Sequence, residues 1–180
     1  MSWTVLCLAA LVQSLPAQAI RLSEYQIKAS FLFNFTKFVE WPQDTFSTDE
    51  DALTIGILGN DAFGNAFKSI VEQKVMGRRV QVQHLNRDEK VDNCQVLFIS
   101  DSEKEHLPQI LQRVNGTRIL TVGETEDFAR QGGMINLVRQ NNKMHIEVNV
   151  AAAERSGLKL SSRLLKLATI VEEGRGQKGP

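Results

Sequence analysis

Among its 180 residues the chain has two cysteines, four prolines, three histidines and one tyrosine. The cysteines, Cys7 and Cys94, cannot build a cysteine metal cluster, and Cys7 lies in a segment expected to be removed. Cys94 is then alone, so the mature domain has no internal disulfide. Its neighbours in CQVLFIS are apolar, which predicts a buried, inert thiol; an intermolecular disulfide is the alternative. No charge sign dominates either: 21 Lys plus Arg face 21 Asp plus Glu. That balance argues against a nucleic-acid binder, which must neutralise phosphates, and against a basic helix lying on a membrane.

What is present points to an exported single domain. Residues 1–19, MSWTVLCLAALVQSLPAQA, carry no charged side chain. They are too short for a spanning helix, which needs about 20 apolar residues. The apolar run from Trp3 to Val12, followed by Ala17-Gln18-Ala19, predicts a secretory signal peptide over 1–19. The mature chain then starts near Ile20, with a domain over 20–172 and a Gly-rich, polar, disordered tail over 173–180. Hydrophobic content of 42% and charged content of 23% suit one globular core.

FLFNFTKFVEWP, from Phe31 to Pro42, holds four of the nine Phe. Ser23 and Gln26 fit a capping box, and Ile27, Phe31, Phe35 and Phe38 fall on one helical face, predicting a core stripe. Pro42 ends that helix. Buried apolar strands are predicted at 53–59, 96–100 and 118–122, and 78–85 alternates, which predicts a strand with one polar face. Helices are predicted over 62–73, after a cap at Asp101 or Ser102, and from Thr125 through Phe128 and Ala129. Beyond Gly132-Gly133, MINLVRQ and MHIEVNV form a hairpin turning at Asn141-Asn142. The hairpin pairs Leu137 with Ile146, Ile135 with Val148 and Val138 with His145. A last amphipathic helix starts at Ser161. The fold class is α/β: a single-domain layered sandwich, with a mixed sheet of largely parallel core and a C-terminal antiparallel hairpin, flanked by helices.

Chemistry is sparse. Gly59-Asn60-Asp61-Ala62-Phe63-Gly64 gives a G-x-x-x-x-G frame, but Asn65-Ala66 stands where a phosphate loop needs Lys-Ser/Thr. His84, His106 and His145 lack the spacing that sets two ligands on one helical face. His145 and Glu147 share a strand face, which is more simply a polar row than a metal site. No G-x-S-x-G occurs. An enzyme is the minority reading, and no cofactor or metal is expected.

Four blocks carry a resemblance: YQIKASFLFNFTKFVEWP, LTIGILGNDAFGNAF, RILTVGETEDFARQGGMINLV and MHIEVNVAAAERSGLKLSSRLLKLA. Together they resemble the YfiR/HmsC family of bacterial periplasmic regulators, from about Tyr25 to Ala168. The resemblance implies a non-enzymatic periplasmic repressor that binds the periplasmic sensor region of an inner-membrane diguanylate cyclase, lowering cyclic-di-GMP and biofilm formation. It also implies an OmpA-like outer-membrane lipoprotein as a sequestering partner, and a homodimer is compatible with cyclases that work in pairs. The best-known member carries stabilising disulfides, which Cys94 alone cannot supply within one chain.

Candidate partner contacts are Phe33 and Trp41, the row His145, Glu147 and Asn149, and Ser161, Ser162 and Arg163. The alternative is a periplasmic small-molecule sensor of another signalling system. Its ligand would sit at the carboxyl ends of the strands, near Gly59, Asn60 and Asp61 and near Ser100 and Asp101.

Overall fold

The computed structural model describes residues 17–174, with side chains from Glu24 onward. Most of the expected leader and of the expected tail lies outside the described residues. Helix α1 (Ala17–Phe38) leads into β1 (Val39–Glu40). Strands β2 (Leu53–Leu58), β3 (Lys74–Val75), β4 (Arg78–Leu85) and β5 (Val96–Ile99) follow. A 3₁₀ turn (Asp101–His106) then enters α2 (Leu107–Val114). Next come β6 (Leu120–Gly123), β7 (Ile135–Gln140), β8 (Lys143–Val148) and α3 (Val150–Arg155). β9 (Lys159–Leu160), α4 (Ser162–Leu165) and β10 (Thr169–Ile170) complete it. None of the described helices is long and apolar enough to cross a membrane.

The main sheet has the order β10-β8-β7-β6-β5-β2-β4-β3. β4, β2, β5, β6 and β7 run parallel. β7 and β8 form the predicted antiparallel hairpin in the predicted register. Asn141 (φ 49°) and Asn142 (φ 59°) both take left-handed conformations at its turn, as Asn tolerates. The α/β class, with a largely parallel core, antiparallel edges and flanking helices, is therefore what the chain adopts.

Alternation along the central strands divides the core between two faces. Val96 and Phe98 join Ile55, Ile57 and Val122 under α1, while Leu97 and Ile99 meet Leu107, Ile110 and Phe128 on the α2 side. Cys94 lies in the α2-side core, 3% exposed. Burial, and then the charge of Asp92, push its thiol up to about 11, so little thiolate exists at neutral pH. Under α1, Tyr25, Phe63 and Phe98 meet edge to face at 5.0 Å.

Several elements depart from the sequence expectation. The ladder of α1 begins at Ala17, not at a Ser23 cap, because no Gly or Pro interrupts the segment. Its buried face is Lys28, Ala29, Leu32, Phe33, Phe35 and Thr36, whereas Ile27 is 46% exposed and Phe31 and Phe38 are half-buried. The helix ends at Phe38, four residues before Pro42, because Val39 and Glu40 pair with Leu160 and Lys159. Residues 62–73 form successive turns rather than a helix. Gly64 takes φ 50° and Asp61 accepts from the Phe63 amide, while Phe63, Phe67 and Ile70 still anchor the segment in the core. Ser100, not Asp101 or Ser102, caps the 3₁₀ turn. The helix expected after Thr125 is also a run of turns. The last helix stops after four residues, since the β-branched pair Thr169-Ile170 adds in parallel to β8.

The Gly132-Gly133 pair has a packing role. A Cβ on Gly133 would lie 2.1 Å from the buried Phe128 ring, and one on Gly123 2.3 Å from its other side. Gly133→Ala is therefore expected to lower stability by about 1–3 kcal/mol through overpacking. Urea unfolding measures it, and an unchanged midpoint would show that the ring has room to move.

Candidate functional site

The sheet's switch point lies between β2 and β5, because β4 sits on one side of β2 and β5, β6 and β7 on the other. Their carboxyl ends converge on one carboxylate. Glu124, directly after β6, accepts from the Lys28 Nζ at 2.5 Å, the Tyr25 hydroxyl at 3.1 Å and the Asp101 backbone N–H at 3.2 Å. Lys28 and Glu24 are one helical turn apart on α1, the spacing at which side chains meet, and Lys28 Nζ reaches Glu24 at 2.6 Å. Arg139 on β7 donates to the other Glu24 oxygen at 2.6 Å. The result is a chain of alternating charge: Glu124, Lys28, Glu24, Arg139. Lys28 is 4% exposed although it is charged, which is tolerable only because two carboxylates meet it. Burial alone would push the Glu24 carboxyl up, but hydrogen bonds and charge from Lys28 and Arg139 outweigh it and hold it below its usual range.

A cavity flanks this charge chain on either side. One, of about 440 Å³, is the switch-point crevice, lined by Asn60, Ser100, Asp101 and Ser102 together with Tyr25 and Glu124. Its polar groups are largely paired within the protein: the Asn60 N–H donates to Ser102 Oγ at 2.9 Å, and the Asp101 N–H to Glu124. The other, of about 490 Å³, lies between α1, the segment after β6 and the β7–β8 hairpin, and Thr125, Asn136 and Glu147 line it.

The expected site residues are spread over several parts of the fold. Gly59, Asn60, Asp61, Ser100 and Asp101 do gather at the strand ends, where Gly59 (φ 92°) lets the loop approach Ser102 closely. Trp41 and Ser161-Ser162-Arg163 share a corner, brought together because β1 pairs with β9 and the Ser161 N–H donates to the Phe38 carbonyl at 2.8 Å. Trp41 is half-buried, its indole N–H donating to the Thr36 carbonyl at 3.3 Å, while Ser162 and Arg163 are exposed. His145 (exposed) and Glu147 (half-buried) sit on β8, apart from that corner.

Phe33 and Asn149, expected among exposed contacts, are both buried. Phe33 lies in the core with the Lys37 ammonium 4.0 Å above its ring. Asn149 is fully buried, donating to the Ala129 carbonyl and capping α3 by accepting from the Ala152 N–H. Period-two alternation placed Asn149 on the polar face, but β8 ends at Val148 and the next residue turns inward as a cap. Among the described residues no group of three His, Cys, Asp or Glu side chains is placed to hold a metal ion.

Sequence reading missed Lys28, Glu124 and Asn136 altogether. The Glu24/Lys28 spacing was a visible signal; the partner Glu124, 96 residues from Lys28, had none. Lys28→Met leaves two carboxylates facing each other and is expected to cost about 3 kcal/mol, the lower end for breaking a buried pair. Adding Glu124→Gln should recover part of that loss in urea unfolding at neutral pH. Because the Glu24 value is lowered, its contribution is complete above the ordinary 4.5 and is lost as pH falls through the lowered value. A Lys28→Met loss below about 1 kcal/mol would mean the charges behave as solvated surface pairs.

Comparison with known proteins adds the following. No curated protein gives a significant match. Among solved structures, the chain is similar to one described as the ABC domain in complex with L-Trp from Streptococcus pneumonia, with a TM-score of 0.52 and 12% identity. The likeness covers 79% of this chain and 60% of that one, so this chain spans about three fifths of its length, and at such identity it shows a shared fold alone. Residues 25–169 match the family described as YfiR/HmsC-like. Its members are periplasmic, non-catalytic regulatory proteins, and the family is known to interact with membrane diguanylate cyclases. With most of its length matched, the chain belongs to the YfiR/HmsC-like family.

Proposed function

We propose that this protein is a periplasmic repressor that binds the periplasmic sensor region of an inner-membrane diguanylate cyclase and holds down cyclic-di-GMP output and biofilm formation. Family membership supplies the partner class. The observation that carries the docking surface is apolar exposure at the open edge of the sheet. Leu167 is 70% exposed and Ile170 51% exposed, beside the side of β10 that no strand pairs among the described residues, and just after the exposed Ser162 and Arg163 of α4. Large apolar side chains left in water beside an unsatisfied strand edge mark a contact surface. Binding there would favour one conformation of the cyclase and shift its population. An OmpA-like lipoprotein that covered the same edge would release the cyclase by competition, and a homodimer through this edge would compete as well.

Deleting the gene in its native bacterium should raise cyclic-di-GMP, and the rise should vanish when one membrane cyclase is deleted too. Complementation with Leu167→Glu/Ile170→Glu should fail to restore repression, with at least about tenfold weaker binding to that cyclase's periplasmic region. Full repression by this double variant would move the contact elsewhere. An unchanged cyclic-di-GMP level after deletion would sink the repressor reading.

The switch-point crevice favours a second reading, a small-molecule sensor of another signalling system. Open α/β sheets bind ligands at this position, and of the residues expected there Asn60, Ser100 and Asp101 line a space of about 440 Å³, with Gly59 and Asp61 in the adjoining loop. A thermal-shift screen with amino acids and nucleotides tests it, since a ligand of the folded state raises Tm by mass action. Ser102→Ala should weaken any hit that sits in the crevice, and a screen without hits would remove this reading.

A further inference from the structure

The β3–β4 hairpin, at one edge of the main sheet, carries two local conflicts that the fold does not require. Its two-residue turn, Met76-Gly77, takes positive φ at both positions, 51° and 79°. Such a turn favours Asn-Gly, and a bulky residue at its first position is strained. Met76 nevertheless stands there, 58% exposed. Lys74 and Arg79 then face each other as cross-strand partners, and like charges directly opposite weaken a ladder. Both are exposed, and neither has an ion pair among the described residues. An Asn-Gly turn and an oppositely charged pair would remove both conflicts, so the residues present serve something other than hairpin stability.

Charge and polarity narrow the partner. Residues 68–79 carry the cations Lys68, Lys74, Arg78 and Arg79 against one carboxylate, Glu72, although the chain as a whole is balanced. Arg78 is occupied: it stacks over the Phe46 ring at 3.9 Å and donates to the Thr48 and Asp51 carbonyls. Lys74 and Arg79 are left to meet anions. The apolar group stands at the tip and these cations stand behind it, one on each strand. An acidic protein surface would satisfy the cations but would give Met76 nothing apolar to enter. A phospholipid surface offers both layers in the matching order, phosphates at the depth of the cations and acyl chains beyond them. Val71, in the segment that leads into β3, is a second large apolar side chain left 42% exposed.

We propose that the tip of the β3–β4 hairpin docks on an anionic phospholipid bilayer, with Met76 entering the acyl boundary and Lys74 and Arg79 meeting the lipid phosphates. β3 and β10 are opposite edges of the sheet, so this contact leaves the β10 edge open and does not depend on the partner bound there. Sedimentation of the whole chain with vesicles of phosphatidylglycerol and phosphatidylethanolamine at low salt tests it. Vesicles of phosphatidylcholine alone measure what the apolar N-terminal residues contribute by themselves. The expected result is binding to the anionic vesicles well above that level, falling as salt rises. Lys74→Gln/Arg79→Gln should weaken it about tenfold or more, and Met76→Asn several-fold. Both variants should keep or raise Tm, since each removes one of the conflicts, so weaker binding cannot come from unfolding. Glycerol phosphate at matched ionic strength should not displace the protein. Anionic binding no greater than neutral, unchanged binding by both variants, displacement by glycerol phosphate, or capture by immobilised polyglutamate in place of vesicles would each overturn the proposal.

Discussion

Lys28 is buried between two carboxylates, and the junction of α1 with the strand ends is built around it. Glu24 below it on the same helix and Glu124 at the end of β6 supply the opposite charge. Glu124 in turn holds Tyr25 and the amide that opens the 3₁₀ turn after β5. One ion pair thus fastens α1 to the carboxyl ends of the central strands. Without it the helix would rest on apolar packing, through Ala29, Leu32, Phe33 and Phe35, and on the Glu24–Arg139 pair. Electrostatics fixes the position of the helix, while apolar burial supplies most of the attraction.

That division of labour places polar space beside the helix. The charge chain from Glu124 to Arg139 runs between α1 and the strand ends, with a cavity on each side of it. The crevice on the β2–β5 side is largely self-paired, and the one beside the hairpin is lined by more carboxylates than cations. The docking edge proposed at β10 and the polar cavity bordered by neighbouring β8 lie close together, because Glu147 lines the cavity and faces Thr169 across the sheet.

Elements whose signal is local were legible in the sequence. Parallel core strands appear as continuous apolar runs, and the Asn141-Asn142 turn fixes the hairpin register without any tertiary knowledge. Where reading failed, local and tertiary forces disagreed. Phe63, Phe67 and Ile70 have helical spacing, yet Gly64 and Asp61 impose turns and the same side chains are buried anyway. Phe33, expected as an exposed contact, is buried, because α1 presents a face that includes Lys28 and Phe33 and leaves Ile27 exposed. The site suffered most, since a salt bridge between positions 28 and 124 leaves no periodic trace in either segment. Asn149 failed for a related reason: alternation says nothing about the residue at which a strand stops and a cap begins.

The main sheet ends in two-residue strands on both sides, β3 with Lys74 at one edge and β10 at the other. Formal net charge is zero at pH 7, so neighbouring molecules in a crowded compartment gain little protection from mutual repulsion. Short edges therefore limit strand-to-strand pairing between copies, since a two-residue strand offers few backbone groups, and a partner docked at β10 would rest mainly on the side chains of Leu167 and Ile170. Lengthening β10 would extend the docking edge, but it would also raise the risk of self-association that its brevity now holds in check.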